Sequence, residues 1–136
     1  VIVEGDPVER LGRQVVADGL LSGLRTRLRL TRNAMSELLL TSPITYASWE
    51  DRPDVRIWRG TAVRVGRFYQ AVQEELADLE REGVDLAGLM PFYLAATQLG
   101  VPQELLLRRY REGEVEAVDA GPLGLWIRPD AVEALR

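Results

Sequence analysis

The spacing of apolar residues predicts a mainly α-helical protein with one small two-stranded β-hairpin near its C-terminal end. Three observations carry that expectation. Apolar residues recur at intervals of three and four along most of the 136-residue chain. Residues that cap or open helices stand in front of these runs, as in Asp6-Pro7, Thr31, Ser42-Pro43 and Pro129-Asp130. One stretch, residues 115–127, instead has short apolar segments divided by a turn sequence, Ala120-Gly121-Pro122-Leu123-Gly124.

The first helix is expected over residues 7–29, with Val8, Leu11, Val15, Leu21, Leu24 and Leu28 at helical spacing and a break near Asp18-Gly19. Gly12, Gly19 and Gly23 each weaken a helix interior by about 1 kcal/mol against alanine. Thr31 caps a short helix over 32–39, and Ser42-Pro43 opens another that runs through Trp49. Residues 51–60, with Pro53 and Gly60, form a loop. Val65, Phe68, Val72, Leu76 and Leu79 then make the clearest stripe, over residues 61–82, which Gly83 ends. Such a helix would be about 33 Å long.

Residues 84–91 make a short join. A helix follows over 92–99, Gly100-Val101 turns, and Pro102 opens a helix to about residue 112, which Gly113 stops. Val115, Ala117 and Asp119 start a strand, and Leu125, Trp126 and Ile127 return as its partner. Pro129 begins a last helix. The domain boundary is expected at the end of the long helix, giving domains 1–83 and 84–136. Both halves share the idea of two short helices about a turn, without a sequence repeat.

Composition narrows the chemistry. There is no Cys and no His, so disulfides, thiolate nucleophiles, imidazole bases and the common zinc ligand sets are excluded. No paired carboxylates, Walker loop or glycine fingerprint suggests an enzyme. No cofactor, metal or small-molecule ligand is expected. No apolar run reaches the ~18 residues of a membrane span. The acidic residues 1–6 lack the order of a secretory signal, and the chain starts at Val, not Met, so a piece is expected to have been removed. The expected compartment is the cytoplasm.

All 17 basic residues are arginine, set against 21 acids for a formal net charge of −4. That total hides an uneven distribution. Residues 1–19 are net −2, residues 20–73 carry nine arginines against four acids for a net +5, residues 74–104 are net −6, and residues 105–136 are net −1. A basic block in an acidic chain is the footprint of a local polyanion contact.

Residues 30–50, LTRNAMSELLLTSPITYASWE, resemble the helix-turn-helix of the lambda-repressor/Cro-like family. The match rests on Leu30, Thr31, Met35, Ser36, Leu39, Ser42, Thr45, Trp49 and Glu50. Leu40 stands where that family favours glycine, and a left-handed backbone there would cost about 1–2 kcal/mol. Tyr46 replaces a usual buried aliphatic. Residues 92–135 resemble the excisionase/MerR-like winged helix-turn-helix, through Ala95, Ala96, Leu99, Gly100, Val101, Leu106, Arg108, Arg111, Gly113, Glu114 and Ala117. Leu105 and Leu107 stand where polar, DNA-facing residues are common. The two motifs together, with the arginine-only basic set, resemble the immunity repressors of actinobacterial temperate phages.

That resemblance implies a sequence-specific double-stranded DNA-binding repressor that maintains lysogeny. It implies DNA contacts at Arg32, Ser42, Pro43, Ile44, Thr45, Ser48 and Arg52 in the first head, and at Gln103, Glu104, Arg108 and Arg111 in the second. Pro43 and Ile44 would meet thymine methyls. Arg25, Arg27, Arg29 and Arg32 are either a solvated face or phosphate contacts, with Arg32 foremost. Arg52, Arg56 and Arg59 either clamp flanking phosphates or pair with Asp51 or Asp54. Arg64 and Arg67 are expected on the outside of the long helix, and Trp49, Trp58 and Trp126 in core or hinge positions, not as base-stacking platforms. With two unlike heads in one chain, the expected complex is a monomer on a non-palindromic site. The alternative is a DNA-binding protein whose C-terminal domain meets protein through Leu105 and Leu107, as in a recombination directionality factor or an antitoxin-like regulator.

Overall fold

A computed structural model describes residues 6–52 and 54–136. The readings made on residues 1–5, and on Pro53 within the loop, lie outside the described residues. Eight α-helices and three short strands are present among the described residues. The chain divides into two compact units, Val1–Glu74 and Glu75–Arg136.

In the first unit the Asp6 carboxylate accepts from Val8 N at 2.9 Å and starts α1 (Pro7–Ala17) with Pro7 at its first position. The expected break falls at Asp18-Gly19, where Gly19 has φ +67, and α2 (Leu20–Leu28) follows. Next come α3 (Arg32–Leu38), α4 (Pro43–Asp51) and the long α5 (Arg59–Arg81). Val15, Leu21, Leu24, Leu28, Met35, Leu39, Tyr46, Trp49, Val65 and Val72 are buried. Each large apolar side chain so buried contributes about 1.5–3 kcal/mol.

Helices α1 and α5 meet through glycine. A Cβ on Gly12 would land on the Ala62 carbonyl, and a Cβ on Gly66 would land on the Val8 carbonyl. This is backbone-to-backbone packing that no side chain permits. Arg64 of α5, expected on the outside, is half-buried instead, and its Nε donates to the Leu39 carbonyl at 3.0 Å. Arg67 is exposed.

Leu40 has φ +56 and is 76% exposed. Its own N–H and that of Thr41 close the end of α3 on the Glu37 and Ser36 carbonyls, at 3.1 and 3.0 Å. The left-handed position is therefore occupied by a side chain that gains no burial. Leu40→Gly should stabilise the protein by about 0.5–1 kcal/mol, since the strain relieved exceeds glycine's entropy cost. An unmoved urea midpoint would count against strain at this turn.

In the second unit, Asp85 caps a 3₁₀ turn at Leu86–Gly88 through Ala87 N. Strand β1 (Met90–Pro91), α6 (Phe92–Leu99) and α7 (Gln103–Arg111) follow. Then come β2 (Val118–Asp119), a 3₁₀ turn at Gly121–Leu123, β3 (Leu125–Ile127) and α8 (Pro129–Ala134). The sheet has three antiparallel strands in the order β1-β3-β2, with Met90 opposite Ile127 and Val118 opposite Trp126. The expected two-stranded hairpin therefore gains a third strand from the segment taken as a join. Two residues, one of them proline, carry no alternation to detect, and proline is tolerated because β1 is an edge. Val115 starts no strand. It packs in the core with Phe92, Ala95, Ala96, Leu106, Ile127 and Val132.

The division between units falls inside α5 and not at residue 83. Glu75 lies beside Gly121 of the second unit. No described helix is long and apolar enough to cross a membrane.

Candidate nucleic-acid interface

Helices α3 and α4 are joined by residues 39–42 and each is capped by its own hydroxyl. Thr31 Oγ1 accepts from Ala34 N at 3.1 Å, and Ser42 Oγ accepts from Thr45 N at 3.1 Å while donating to Thr45 Oγ1 at 2.8 Å. Ser36 is fully buried and its hydroxyl donates to the Asn33 carbonyl at 2.6 Å, so a small polar residue fills the contact face without an unsatisfied group. Met35 and Leu39, one turn apart, are buried beside it in sequence. In α4, Tyr46 and Trp49 are buried and pack edge to face, with ring centroids 6.1 Å apart.

With that inner face fixed, the first turn of α4 is presented to solvent. Ser42, Pro43, Ile44 and Thr45 are exposed, and Ile44 is 85% exposed. Ser48 is half-buried, and its hydroxyl donates to the Thr45 carbonyl at 2.6 Å. Pro43 has no N–H and Thr45 N is held by Ser42, so it is mainly the helix dipole that favours an anion at such an end.

An ion network braces this helix. Arg25 of α2 grips Glu50 with two hydrogen bonds, 2.7 Å from Nε and 3.0 Å from Nη2, and its Nη1 donates to the Leu30 carbonyl at 3.2 Å. Arg32 at the start of α3 reaches Glu50 at 3.1 Å and Asp51 at 2.8 Å. Burial acts to raise the Glu50 pKa, but the hydrogen bonds from Arg25, the nearby Tyr46 hydroxyl and the charges of Arg25 and Arg32 together hold it below the ordinary glutamate value. The Tyr46 phenol is pushed up, first by burial and then by Glu50, and its buried hydroxyl meets no hydrogen-bond partner of good geometry.

Arg25 is therefore no solvated-face residue. Arg32 remains 42% exposed while bound to two acids, so a phosphate there would share or displace Asp51. Arg52 and Arg56 are exposed and pair with neither Asp51 nor Asp54, Asp51 being taken by Arg32. Arg59 meets Glu9 at 3.5 Å. Among the described residues, Arg27, Arg29, Arg52, Arg56 and Arg67 make no ion pair. The Arg25–Glu50 contact spans 25 positions, and no local pattern marks it.

Trp49 and Trp126 are core residues, as expected, at 4% and 1% exposure, but Trp58 is not: it is 85% exposed. It follows the buried Ile57, which takes the inward place at that end of the loop.

In the second unit, Gln103, Glu104, Arg108 and Arg111 are exposed along α7, and Arg109 is half-buried on another side. Leu105 and Leu107 are also half-buried. Leu105 lines a groove of about 330 Å³ with Leu99, Val101, Arg109 and Leu135. Leu107 lies with Gln103, Glu104 and Leu125 in another, of about 370 Å³. The chain's two candidate heads thus differ: the first shows capped polar groups and Ile44, the second an arginine edge beside apolar grooves.

Compared with protein-family models, with curated proteins and with solved structures, the chain gives no match.

Proposed function

We propose that this chain is a sequence-specific, double-stranded DNA-binding transcriptional repressor of the temperate-phage immunity kind. It uses two unlike heads, a lambda-repressor/Cro-like helix-turn-helix at α3–α4 and a winged helix-turn-helix at α6–α7 with β2–β3 as the wing. One observation carries the reading. The first turn of α4 is capped and exposed while the rest of the helix is locked by Tyr46, Trp49 and the Arg25–Glu50 pair. A rigid, presented helix start among arginines suits entry into a major groove.

Ser42 and Thr45 would take phosphate and base edges, and Ile44 a thymine methyl. Arg32 and Arg52 would bind backbone. In the second head, Arg108 and Arg111 would face DNA. Unlike heads in one chain favour an asymmetric site bound by a monomer, because the second head binds intramolecularly once the first is seated.

Selection of bound duplexes from a random pool should return a non-palindromic consensus, and a dyad-symmetric consensus would contradict the monomeric reading. On the selected site, Arg111→Ala should lower affinity and reduce the salt slope by about one. A second reading, in which the C-terminal unit meets protein, is favoured by the apolar groove at Leu105. It requires Arg111→Ala to leave both affinity and slope unchanged.

A further inference from the structure

Trp58 takes no part in the α3–α4 motif or in the ion network that braces it. Its indole is 85% exposed, yet the backbone beneath it is held in place. The preceding Ile57 is buried, and its carbonyl accepts a 2.7 Å hydrogen bond from Arg13 Nη1 of α1. The Trp58 carbonyl in turn accepts from Ala62 N at 2.8 Å, in the opening of α5. A segment anchored at both ends therefore holds a large apolar ring out in water.

The surroundings of the ring are cationic. Arg13, Arg56 and Arg59, with Ile57 and Trp58, line a concavity of about 450 Å³. Among the described residues Glu9 meets two of them, 3.7 Å from Arg13 and 3.5 Å from Arg59, which leaves the three guanidiniums net positive. Arg56 makes no ion pair among the described residues.

We infer that Trp58 and its arginines form a second nucleic-acid contact of the first unit, a clamp for one strand flanking the recognised site. The indole packs against the deoxyribose of a single nucleotide, the base faces of a duplex being covered by stacking, and Arg56 and Arg59 take the phosphates on either side. The chemistry selects this occupant. A nucleic-acid strand alternates sugar rings with phosphates, which matches an apolar ring between planar, forked cations. An acidic peptide would satisfy the arginines and leave the indole without an apolar ring set between the charges. The contact is blind to base identity, so it adds affinity to the specificity of α4. This inference rests on the DNA-binding reading above.

The test uses the full chain and a random-sequence duplex of roughly 30 base pairs at low salt, where backbone contacts dominate. Binding is followed by anisotropy of the labelled duplex, and Trp58 by acrylamide quenching of tryptophan emission. Trp49 and Trp126 are buried, so the readily quenched component belongs to Trp58. Bound duplex should abolish that component. Trp58→Ala should weaken duplex binding about tenfold, and Trp58→Phe should retain most of it. Thermal unfolding of both variants should match the parent, since the side chain is exposed. Duplex bound with the quenchable component intact overturns the clamp and leaves the DNA reading standing. No duplex binding at all overturns both. Protection by poly-glutamate equal to that by duplex also overturns the clamp, in favour of an acidic protein partner.

Discussion

Alanine at Gly12 should destabilise the protein by about 3 kcal/mol or more, enough to leave a domain of this size largely unfolded in mild urea. The added methyl would occupy the position of the Ala62 carbonyl oxygen, which is backbone and cannot rotate aside. Relief requires α1 to move off α5. That would open the packing around Val15, Val65 and Ala62, all of them fully buried. Alanine at Gly23 is the matched comparison, since nothing lies within 4 Å of its Cβ position and its backbone is ordinary helix. That change should stabilise the protein by about 0.5–1 kcal/mol. Urea unfolding followed by far-ultraviolet circular dichroism reads both, and shifts of the same sign would refute the account of the α1–α5 crossing.

Replacing Glu50 by glutamine should cost about 2 kcal/mol at neutral pH. The Glu50 side chain is 5% exposed and its main partner Arg25 is 21% exposed, so the variant leaves a guanidinium partly desolvated without its counter-charge. The figure sits below that for a fully buried pair because Arg25 keeps some water. The pH dependence has a definite sign. Glu50 is depressed in the folded protein, so its contribution is complete above the unfolded-state pKa of about 4.3 and is lost as pH falls through the lower folded value. The parent should therefore lose more stability than Glu50→Gln between pH 6 and about pH 3, and the gap between the two should narrow in acid. A gap that stayed constant with pH would mean that Glu50 acts by shape and not by charge. Replacing Arg25 and Glu50 together by methionine and leucine should recover most of the loss, since a well-packed apolar pair avoids both desolvation costs.

Two of the three glycines expected to weaken α1 and α2 do not act that way. Gly19 supplies a left-handed backbone between the helices, and Gly12 supplies contact distance to α5; Gly23 alone behaves as composition suggested. A glycine carries no side chain from which to infer its neighbour, so the three look alike until the opposing helix is in place. The strained turn was different. Leu40 could be located from the motif because the geometry of a tight turn is local, and it has the positive φ that its position implied.

The candidate interface divides along the same line. Ser42, Pro43, Ile44 and Thr45 follow from a capping hydroxyl before proline and from the inward pattern of Tyr46 and Trp49. The state of the arginines does not. Arg25 and Arg32 belong to one basic cluster in sequence, yet both are drawn onto Glu50, 25 and 18 positions away. Arg52 is left free of Asp51 by the same network.

The sequence by itself determined the helical course, the caps at Asp6, Thr31 and Ser42, the break at Gly19 and the placement of charge along the chain. Each of these depends on residues within a turn or two of one another. The tertiary structure alone decided which arginines are spent on acids, why Gly12 and Gly66 cannot be anything larger, that Met90-Pro91 completes a third strand, and that Trp58 faces water. These outcomes depend on atoms brought together from distant positions: a carbonyl on α5, a carboxylate on α4, the free edge of β3, and a buried Ile57 held by Arg13. Local periodicity carries no record of such encounters, because close packing and charge pairing are fixed only when the elements meet.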